Sequence, residues 1–419
     1  MTEIKLLPGQ RSGVTAAPSS KSHAHRLLIC AGLGTERVTV SCGDISKDIA
    51  ATTKCLEALC ADISEEGRGI LCVGPKRRHT AEEKILPCGE SGSTLRFLIP
   101  VCGALGESVV FRMEGRLADR PLAPLDRLLR EHGMSIEKDG SELHCSGKLR
   151  GGVFEIPGDI SSQYISGLLF ALPLLEGDST IRITGKLESS AYIAMTEDAL
   201  RQSGIKFRRR ENEYTVFGNQ HYALTEACAA EGDYSNGAFF LCMGALSEGG
   251  ITVKNMPPNT LQGDSAVVDV LRRFGADVSV CGSEITVKKG NLTGCEIDAS
   301  GIPDLVPVLS VVAAAAKGET RIVNAARLRF KESDRLATTS ELLNCLGGDV
   351  TELSDGLIIN GSDHLTGGTV NSHNDHRIAM SAAVAACIST NPVTVLDPEC
   401  TSKSFPRFWE NFEQLERLI

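Results

Sequence analysis

The chain has 419 residues, of which 42% are hydrophobic and 23% are charged, and its formal net charge at pH 7 is −10. A chain of this length exceeds what one hydrophobic core usually supports, so we expect two domains of roughly 200 residues each. The composition excludes a disordered, fibrous or membrane protein, and the acidic balance argues against nucleic-acid binding, which needs a basic face.

The cysteines and the N-terminal residues indicate a cytoplasmic protein without a metal. Fifteen cysteines are dispersed along the chain, with no C-x-x-C pair and no cysteine–histidine cluster at zinc spacing, as expected of small buried residues in a reducing compartment. Residues 1–9 lack the basic start, apolar run and cleavage site of a secretory signal. The most apolar stretch, residues 305–316, contains a proline and a serine, so we interpret it as a buried element rather than a membrane span.

The first segment with chemical character is residues 18–26, Pro-Ser-Ser-Lys-Ser-His-Ala-His-Arg, which leads into an apolar helix predicted at residues 27–33. Hydroxyl groups, free backbone N–H groups and the positive end of the helix dipole attract phosphate to a helix start. Lys21 and Arg26 add formal charge. The segment fits an anion site, and on its own it fits a capped helix with solvated bases equally well.

Two glycine-containing segments follow. Residues 89–96, Gly-Glu-Ser-Gly-Ser-Thr-Leu-Arg, form a loop predicted to enter a helix, with backbone donors and one arginine. The loop lacks the lysine of a P-loop and the spacing of a dinucleotide fingerprint, so neither ATP nor NAD is indicated. Residues 115–121 contain Arg116 and Arg120 and end at Pro121, which suits the first turn of a helix.

Hydroxyl and amide groups are concentrated at residues 161–166, Ser-Ser-Gln-Tyr-Ile-Ser. Neutral donors and acceptors of this kind suit a polyol ligand, and an ordinary turn is the alternative. Ser189 and Tyr192 extend the same chemistry further along the chain.

The densest group of charges lies at residues 327–335, Arg-Leu-Arg-Phe-Lys-Glu-Ser-Asp-Arg. Such a run is usually a solvated surface. Two further segments, Asn-Asp-His-Arg at residues 374–377 and Cys-Thr-Ser-Lys at residues 400–403, also place bases before predicted helices, which favours a ligand site. Asp304 enters the apolar stretch at residues 305–316, and a buried acid needs a partner or a task.

One pattern recurs along almost the whole chain: an amphipathic helix, a small residue and a β-hairpin. The helical face is clearest at residues 267, 270, 271 and 274, and the glycine that follows is expected to cap the helix. The spacing predicts six α/β units of about 70 residues, three in each of two globules with a cleft between them; a noncatalytic solenoid is the alternative. The predicted helices are residues 48–59, 121–133, 194–204, 264–275, 334–347 and 405–418. The small residue follows the first helix as Cys60 and ends the next four as Gly133, Gly204, Gly275 and Gly347.

Together these segments resemble the enolpyruvyl transferase family, from Pro18-Ser19-Ser20-Lys21 to Lys403-Ser404-Phe405-Pro406. The resemblance implies an α/β fold, a two-domain inside-out α/β barrel of six βαβαββ repeat units. It implies one domain of residues 1–19 and 230–419, a second of residues 20–229, and an active site in the cleft between them.

The implied reaction is transfer of the enolpyruvyl group of phosphoenolpyruvate to the 5-hydroxyl of shikimate 3-phosphate, in the biosynthesis of chorismate and aromatic amino acids. The implied mechanism is addition followed by elimination through a tetrahedral intermediate. No cofactor is implied, and we expect a monomer.

The resemblance also implies roles for individual residues. The catalytic candidates are Lys21, Asp304 and Glu332. The positions that match the family's shikimate 3-phosphate contacts are Lys21, Ser22, Arg26, Ser161, Ser162, Gln163, Ser189, Tyr192, Asp304 and Lys331. The positions that match its phosphoenolpyruvate pocket, which glyphosate also occupies in the family, are Lys21, Gly92, Arg120, Gln163, Glu332, Arg335, His376, Arg377 and Lys403.

Two positions depart from the family pattern, since Glu90 and Arg327 each stand where an asparagine is common. Both flank ligand positions, so they bear on affinity and herbicide sensitivity rather than on the reaction. A related alternative is the transferase that acts on UDP-N-acetylglucosamine, which uses a cysteine in a mobile loop. Residues 115–125 contain no cysteine, so shikimate 3-phosphate is the preferred acceptor.

Overall fold

Six β-sheets organise the described part of the chain, residues 2–75 and 83–418 of a computed structural model. The chain divides into two compact units. The central unit is Lys21–Ala230, and the terminal unit joins Met1–Ser20 to Glu231–Ile419. Each unit has its own hydrophobic core and three of the six sheets.

The described residues form twelve α-helices, six in each unit. Along the chain, helices that are buried along almost their whole length alternate with helices that bury only one face. The central unit contains α1 (Lys21–Gly32), α2 (Lys47–Leu59), α3 (Gly92–Leu105), α4 (Leu125–Glu131), α5 (Ser162–Ala171) and α6 (Ser190–Gln202). The terminal unit contains α7 (Tyr234–Ala245), α8 (Val267–Phe274), α9 (Val306–Ala314), α10 (Arg335–Cys345), α11 (His376–Ala385) and α12 (Phe408–Gln414).

In each sheet of the central unit, two parallel strands are followed by an antiparallel hairpin. Parallel neighbours need a crossover connection, and in two of the three sheets a buried helix provides it. In spatial order the strands are Cys228–Ala229, Val38–Ser41, Ile70–Pro75 and Ala61–Gly67; Lys84–Gly89, Val109–Met113, Glu142–Ser146 and Ser135–Asp139; and Val153–Pro157, Ser179–Thr184, Glu213–Val216 and Phe207–Arg210.

The terminal unit is completed by the first residues of the chain. Arg11–Ala16 runs parallel to Ile251–Lys254, and Glu3–Leu6 runs antiparallel to Val393–Leu396. The strands in spatial order are Asp277–Cys281, Glu284–Lys288, Ile251–Lys254, Arg11–Ala16 and Glu416–Arg417; Glu296–Asp298, Glu319–Val323, Leu357–Asn360 and Asp349–Glu352; and Glu3–Leu6, Val393–Leu396 and Gly368–Asn371.

Short 3₁₀ helices occupy several connections, and two of them carry predicted site residues, Asp304 and Lys403. In the described residues they are Gly115–Asp119, Leu172–Leu174, Gly263–Ala266, Pro303–Leu305, Ala326–Phe330, Ala386–Ile388 and Pro398–Lys403.

The predicted repeat is confirmed in its helices and hairpins. The apolar face of α8 is buried, and Gly275 ends the helix with a φ of 96°, the left-handed conformation that glycine adopts without steric cost. The stretch at residues 305–316 is the buried helix α9. The described helices include none with the length and hydropathy needed to cross a membrane.

Several helix boundaries were predicted wrongly: α6 begins at Ser190 rather than at residue 194, the last helix begins at Phe408 rather than at residue 405, and three further differences have a clear cause. α1 begins at Lys21 rather than at residue 27, because residues 21–26 contain no glycine or proline to prevent a helix. Pro121 precedes α4, which begins at Leu125. The last helix ends at Gln414, because Glu416 and Arg417 pair with the strand Arg11–Ala16.

Candidate active site

In the central unit, Lys21 stands at the start of α1. Its Nζ lies 2.8 Å from Asp48 Oδ2, with the two side chains 15% and 14% exposed. Asp48 lies in the first turn of α2, where the helix dipole favours a negative charge. The ammonium group is therefore held in one place while part of it stays accessible.

Arg26 lies one turn further along α1 and is almost fully buried. Its Nε donates to Thr196 Oγ1 at 2.8 Å, and its terminal nitrogens donate to the carbonyl oxygens of Ser22 (2.6 Å) and Tyr192 (2.8 Å). Burial lowers the pKa of Arg26 to about 10. The guanidinium therefore stays charged at neutral pH although the oxygens that it contacts are uncharged.

Gln163, near the start of α5, is fixed at both ends of its amide. Its Oε1 accepts a hydrogen bond from Arg96 at 2.9 Å, and its Nε2 donates to Ser93 Oγ at 2.9 Å. Ser161 caps the same helix by accepting from the Gln163 backbone N–H at 3.3 Å. The starts of α3 and α5 therefore form one polar surface.

Gly92, the first residue of α3, lies beneath two arginines. A Cβ at this position would lie 2.7 Å from an Arg96 nitrogen and 2.9 Å from an Arg120 nitrogen, so a side chain would displace both guanidinium groups. Glu90 lies against Gly115 on the same surface, since a Cβ at Gly115 would be 2.5 Å from its carboxylate.

The predicted polyol-binding residues lie at the starts of α5 and α6. Ser162 and Ser189 are both buried. Ser189 has a φ of 51°, a left-handed conformation that is uncommon for residues other than glycine. Tyr192 lies in the first turn of α6.

In the terminal unit, Arg335 at the start of α10 binds three carboxylates. Its nitrogens lie 2.8 Å from Asp375 Oδ2, 2.7 Å from Asp304 Oδ1 and 2.6 Å from Glu332 Oε2, and its side chain is 1% exposed. Burial opposes its charge, but the carboxylates of Asp375, Glu332 and Asp304 outweigh that effect and raise the pKa of Arg335. A buried charge with three partners of opposite sign is a rigid anchor.

Asp304 forms ion pairs with three cationic side chains. Its carboxylate lies 2.7 Å from Arg335, 3.3 Å from Lys331 Nζ and 3.3 Å from Arg377 NH2. Burial lowers the pKa of Lys331. Asp304 stays 16% exposed, so its carboxylate remains within reach of a small ligand.

The start of α11 supplies further charge to the same cluster. Asp375 accepts the backbone N–H of Arg377 at 2.9 Å and caps the helix, and the positive charge of Arg335 holds the pKa of Asp375 below its usual value despite the burial. His376 is buried beside it. Lys403 Nζ donates to the Asn374 carbonyl oxygen at 2.7 Å, so residues 374–377 and Lys403 lie together.

Comparison with known proteins identifies the family. The family model for EPSP synthase (3-phosphoshikimate 1-carboxyvinyltransferase) matches residues 8–412. The chain belongs to the EPSP synthase family.

Relatives in this family match over their full length. The 3-phosphoshikimate 1-carboxyvinyltransferase of Clostridium perfringens strain SM101 is 41% identical over 423 residues, covering 100% of this chain and 99% of that protein. The protein of the same name from Clostridium acetobutylicum is 42% identical over 421 residues, covering 99% and 97%.

Solved structures share the fold. The EPSP synthase from Acinetobacter baumannii superimposes with a TM-score of 0.81 at 25% identity, covering 99% of this chain and 98% of that one. The enolpyruvyl transferase NikO from Streptomyces tendae has a TM-score of 0.79 at 17% identity, covering 98% and 96%. The predicted α/β fold of the enolpyruvyl transferases, with its βαβαββ units, is confirmed.

Within each unit of this EPSP synthase family member, the predicted site residues come together at helix starts. Of the two departures from the family pattern, Glu90 lies against Gly115 and Arg327 donates to the Ser300 carbonyl oxygen at 2.9 Å. The described residues contain no group of three or more histidine, cysteine or acidic side chains able to hold a metal ion.

Sequence reasoning missed four residues that the structure places in these clusters. Asp375 lies in a motif that was singled out for its bases alone. Asp48 was counted only as the start of a repeat helix, and Arg96 was noted only as a loop arginine. Asp264, 2% exposed, accepts a hydrogen bond from Ser235 Oγ. The sequence feature that could have identified Asp264 is an acidic residue directly before an amphipathic helix.

Proposed function

We propose that the protein transfers the enolpyruvyl group of phosphoenolpyruvate to the 5-hydroxyl of shikimate 3-phosphate and releases phosphate, a step in chorismate and aromatic amino-acid biosynthesis. The observation that carries this proposal is the full-length match to the family, with relatives named for this activity. Cations and hydroxyl groups at the helix starts of both units support it, since both substrates are phosphorylated carboxylates.

The proposal assigns residues of both units to the same two substrates. Phosphoenolpyruvate would contact Lys21, Gly92, Arg120 and Gln163 of the central unit and Arg335, His376, Arg377 and Lys403 of the terminal unit. Shikimate 3-phosphate would contact Lys21, Ser22, Arg26, Ser161, Ser162, Gln163, Ser189 and Tyr192 of the central unit and Asp304 and Lys331 of the terminal unit.

The proposed mechanism is addition followed by elimination. Asp304 takes the proton of the 5-hydroxyl as that oxygen attacks C2 of phosphoenolpyruvate, and an acid delivers a proton to C3, which gives a tetrahedral adduct. A proton then leaves C3, the double bond re-forms and phosphate departs. Lys21 and Glu332 are the candidates for the proton transfer at C3.

The local geometry suits these roles. Arg335 fixes the Glu332 carboxylate at 2.6 Å and the Asp304 carboxylate at 2.7 Å, so both groups are oriented before substrate arrives. Lys21 is held by Asp48 at 2.8 Å. Such preorganisation avoids a reorientation cost during the reaction.

A phosphate-release assay tests the proposal. Purified protein is incubated with phosphoenolpyruvate and either shikimate 3-phosphate or UDP-N-acetylglucosamine, and free phosphate is measured with time. We expect release with shikimate 3-phosphate only. Release with the nucleotide sugar only would assign the protein to the other transferase activity, and release with neither acceptor would refute enolpyruvyl transfer.

We further propose that the protein acts in the cytoplasm as a monomer. The cysteine-rich sequence without disulfides in the described residues supports a reducing compartment. Light scattering coupled to size-exclusion chromatography tests the second point, and a mass near 44.7 kDa is expected.

A further inference from the structure

A buried hydrogen-bond chain links three helices beneath the candidate site of the central unit. His25 Nδ1 lies 2.7 Å from Thr52 Oγ1, which lies 2.6 Å from Thr94 Oγ1, which in turn lies 2.7 Å from Ser91 Oγ. All four side chains are 0–1% exposed. The chain therefore runs from α1 through α2 to the residue that caps α3.

The direction of this chain follows from counting protons. Thr94 donates its hydroxyl hydrogen to Ser91 Oγ, so its oxygen must accept from Thr52. Thr52 then has no hydrogen left for His25, so its oxygen must accept from a proton on His25 Nδ1. The Thr52 and Thr94 hydroxyls therefore each donate once and accept once, and the acceptor role of Ser91 at the far end fixes the tautomer of His25.

The electrostatic surroundings agree with a neutral imidazole. Burial, reinforced by the positive charges of Lys21 and Arg26, holds the pKa of His25 well below its usual value. With Nδ1 protonated, Nε2 carries the lone pair, and Nε2 is buried without a hydrogen-bond partner among the described residues. Within the described part of the chain, the bond from Nδ1–H to Thr52 is thus the one polar contact that orients the ring.

The same two helices share a second contact one turn away. Lys21 and His25 are four residues apart on α1, and Asp48 and Thr52 are four residues apart on α2, so each pair lies on one helix face. Lys21 contacts Asp48 and His25 contacts Thr52. The two contacts form a ladder that fixes α1 against α2.

The other end of the hydrogen-bond chain, Ser91, lies next to Gly92 in the sequence. Ser91 Oγ accepts from the Thr94 backbone N–H at 3.3 Å as well as from its hydroxyl, which sets where α3 begins. Gly92 is the next residue, and Arg96 and Arg120 lie directly above it. A shift of Ser91 would therefore move the surface on which both arginines rest.

We propose that Thr52 and His25 are positioning residues that align Lys21 on α1 with Gly92 on α3, so that the lysine and the start of α3 bind phosphoenolpyruvate as one unit. This inference rests on the proposed function, which assigns both Lys21 and Gly92 to that substrate. Neither positioning residue touches substrate, because both are fully buried.

The first test is Thr52→Val, which keeps the shape of the side chain and removes its hydroxyl. Two buried groups then lose their partner, and we expect the KM for phosphoenolpyruvate to rise about tenfold with a smaller change in kcat. Thr52→Ser restores the hydroxyl and is expected to stay within about twofold of the wild type.

Thr53→Val is the matched control. Thr53 is the next residue on α2, and its hydroxyl donates only to the Ala50 carbonyl oxygen of its own helix at 2.9 Å. We expect unchanged kinetics. Equal effects at Thr52 and Thr53, or an unchanged KM in Thr52→Val, would overturn the proposal.

The second test does not depend on activity. Nitrogen-15 NMR of histidine-labelled wild-type protein reports the tautomer of each of its nine histidines, and His25→Gln identifies the His25 signals. We expect a neutral ring protonated on Nδ1 at pH 7. A proton on Nε2, or a charged ring, would overturn the hydrogen-bond chain even if the phosphate-release assay supports the proposed function.

Discussion

The central and terminal units hold the polar side chains at their helix starts in place with different chemistry. In the central unit, Arg26 is surrounded by a hydroxyl and two carbonyl oxygens, and Gln163 is fixed by a guanidinium and a hydroxyl. In the terminal unit, Arg335 is buried among the carboxylates of Asp304, Glu332 and Asp375.

Because of this difference, the two units should respond differently to substitutions. A hydrogen bond from a charged group to a neutral one contributes about 1.5–3 kcal/mol, whereas removing one member of a buried ion pair costs about 3–5 kcal/mol. The terminal unit should therefore respond strongly to the loss of a charge and to pH. The central unit should respond moderately to the loss of a hydroxyl.

The largest effect is expected from Asp304→Ala. If Asp304 is the base, its loss should lower kcat by about 10²–10⁴-fold, the usual contribution of general base catalysis. Steady-state kinetics at saturating substrates provide the measurement. Asp269→Ala, which alters an exposed aspartate on α8, is the control and should leave kcat unchanged. Near-normal turnover in Asp304→Ala would remove Asp304 from the mechanism.

The next largest effect concerns stability. Asp375→Ala leaves Arg335 buried with one carboxylate fewer, and the free energy of unfolding should fall by about 3–5 kcal/mol. Urea unfolding followed by circular dichroism measures this change. Glu410→Gln interrupts an exposed pair with Arg407 and should shift the midpoint very little. Equal shifts in both variants would contradict the contrast between buried and exposed pairs.

Asp264 should make the terminal unit sensitive to pH. Burial, together with the neighbouring Asp304 carboxylate, raises the pKa of Asp264 from 3.8 to about 7. Because the pKa is higher in the folded than in the unfolded chain, the free energy of unfolding should fall as pH rises from about 4 to about 7.

Asp264→Asn removes this titration. The variant should show a flatter pH dependence and, at pH 8, a gain on the order of 1–3 kcal/mol relative to the wild type. Unfolding curves collected between pH 4 and pH 8 test it. Parallel profiles for the two proteins would show that Asp264 does not ionise in this range.

The smallest effect is expected in the central unit. Thr196→Val removes the neutral acceptor of the charged Arg26 Nε, and the loss of about 1.5 kcal/mol should raise the KM for shikimate 3-phosphate about tenfold. Kinetics at saturating phosphoenolpyruvate give this value. Thr184→Val, at an exposed strand end of the same unit, should leave the KM unchanged; a hundredfold increase in Thr196→Val would erase the contrast between the units.

The sequence predicted the local features well because their causes are local. The stripe at Val267, Val270 and Leu271 specifies a helix on its own. The pair Asp139-Gly140 favours the tight turn that joins the strands Ser135–Asp139 and Glu142–Ser146. The end of the last helix was wrong because a distant strand decides it: Glu416 pairs with Ser12. No pattern within residues 405–418 contains that information.

The candidate site likewise contains residues that the sequence predicts and partners that it does not. Cations next to glycine or serine marked the helix starts, since a helix start attracts anions wherever it occurs. Their partners could not be predicted, because they come from far along the chain: Thr196 is 170 residues from Arg26, and Asp375 is 40 residues from Arg335. Burial of Asp264 likewise depends on packing against α7, which its neighbours in sequence do not reveal.

The pairing of the first strands has a consequence for synthesis on the ribosome. Glu3–Leu6 is synthesised about 390 residues before its partner Val393–Leu396. At 5–20 residues per second, the wait is roughly 20–80 s. The whole central unit is translated during that interval and can fold first. The nascent chain thus carries an unpaired strand throughout that interval, and an unpaired strand edge is a site at which chaperones protect a chain from aggregation.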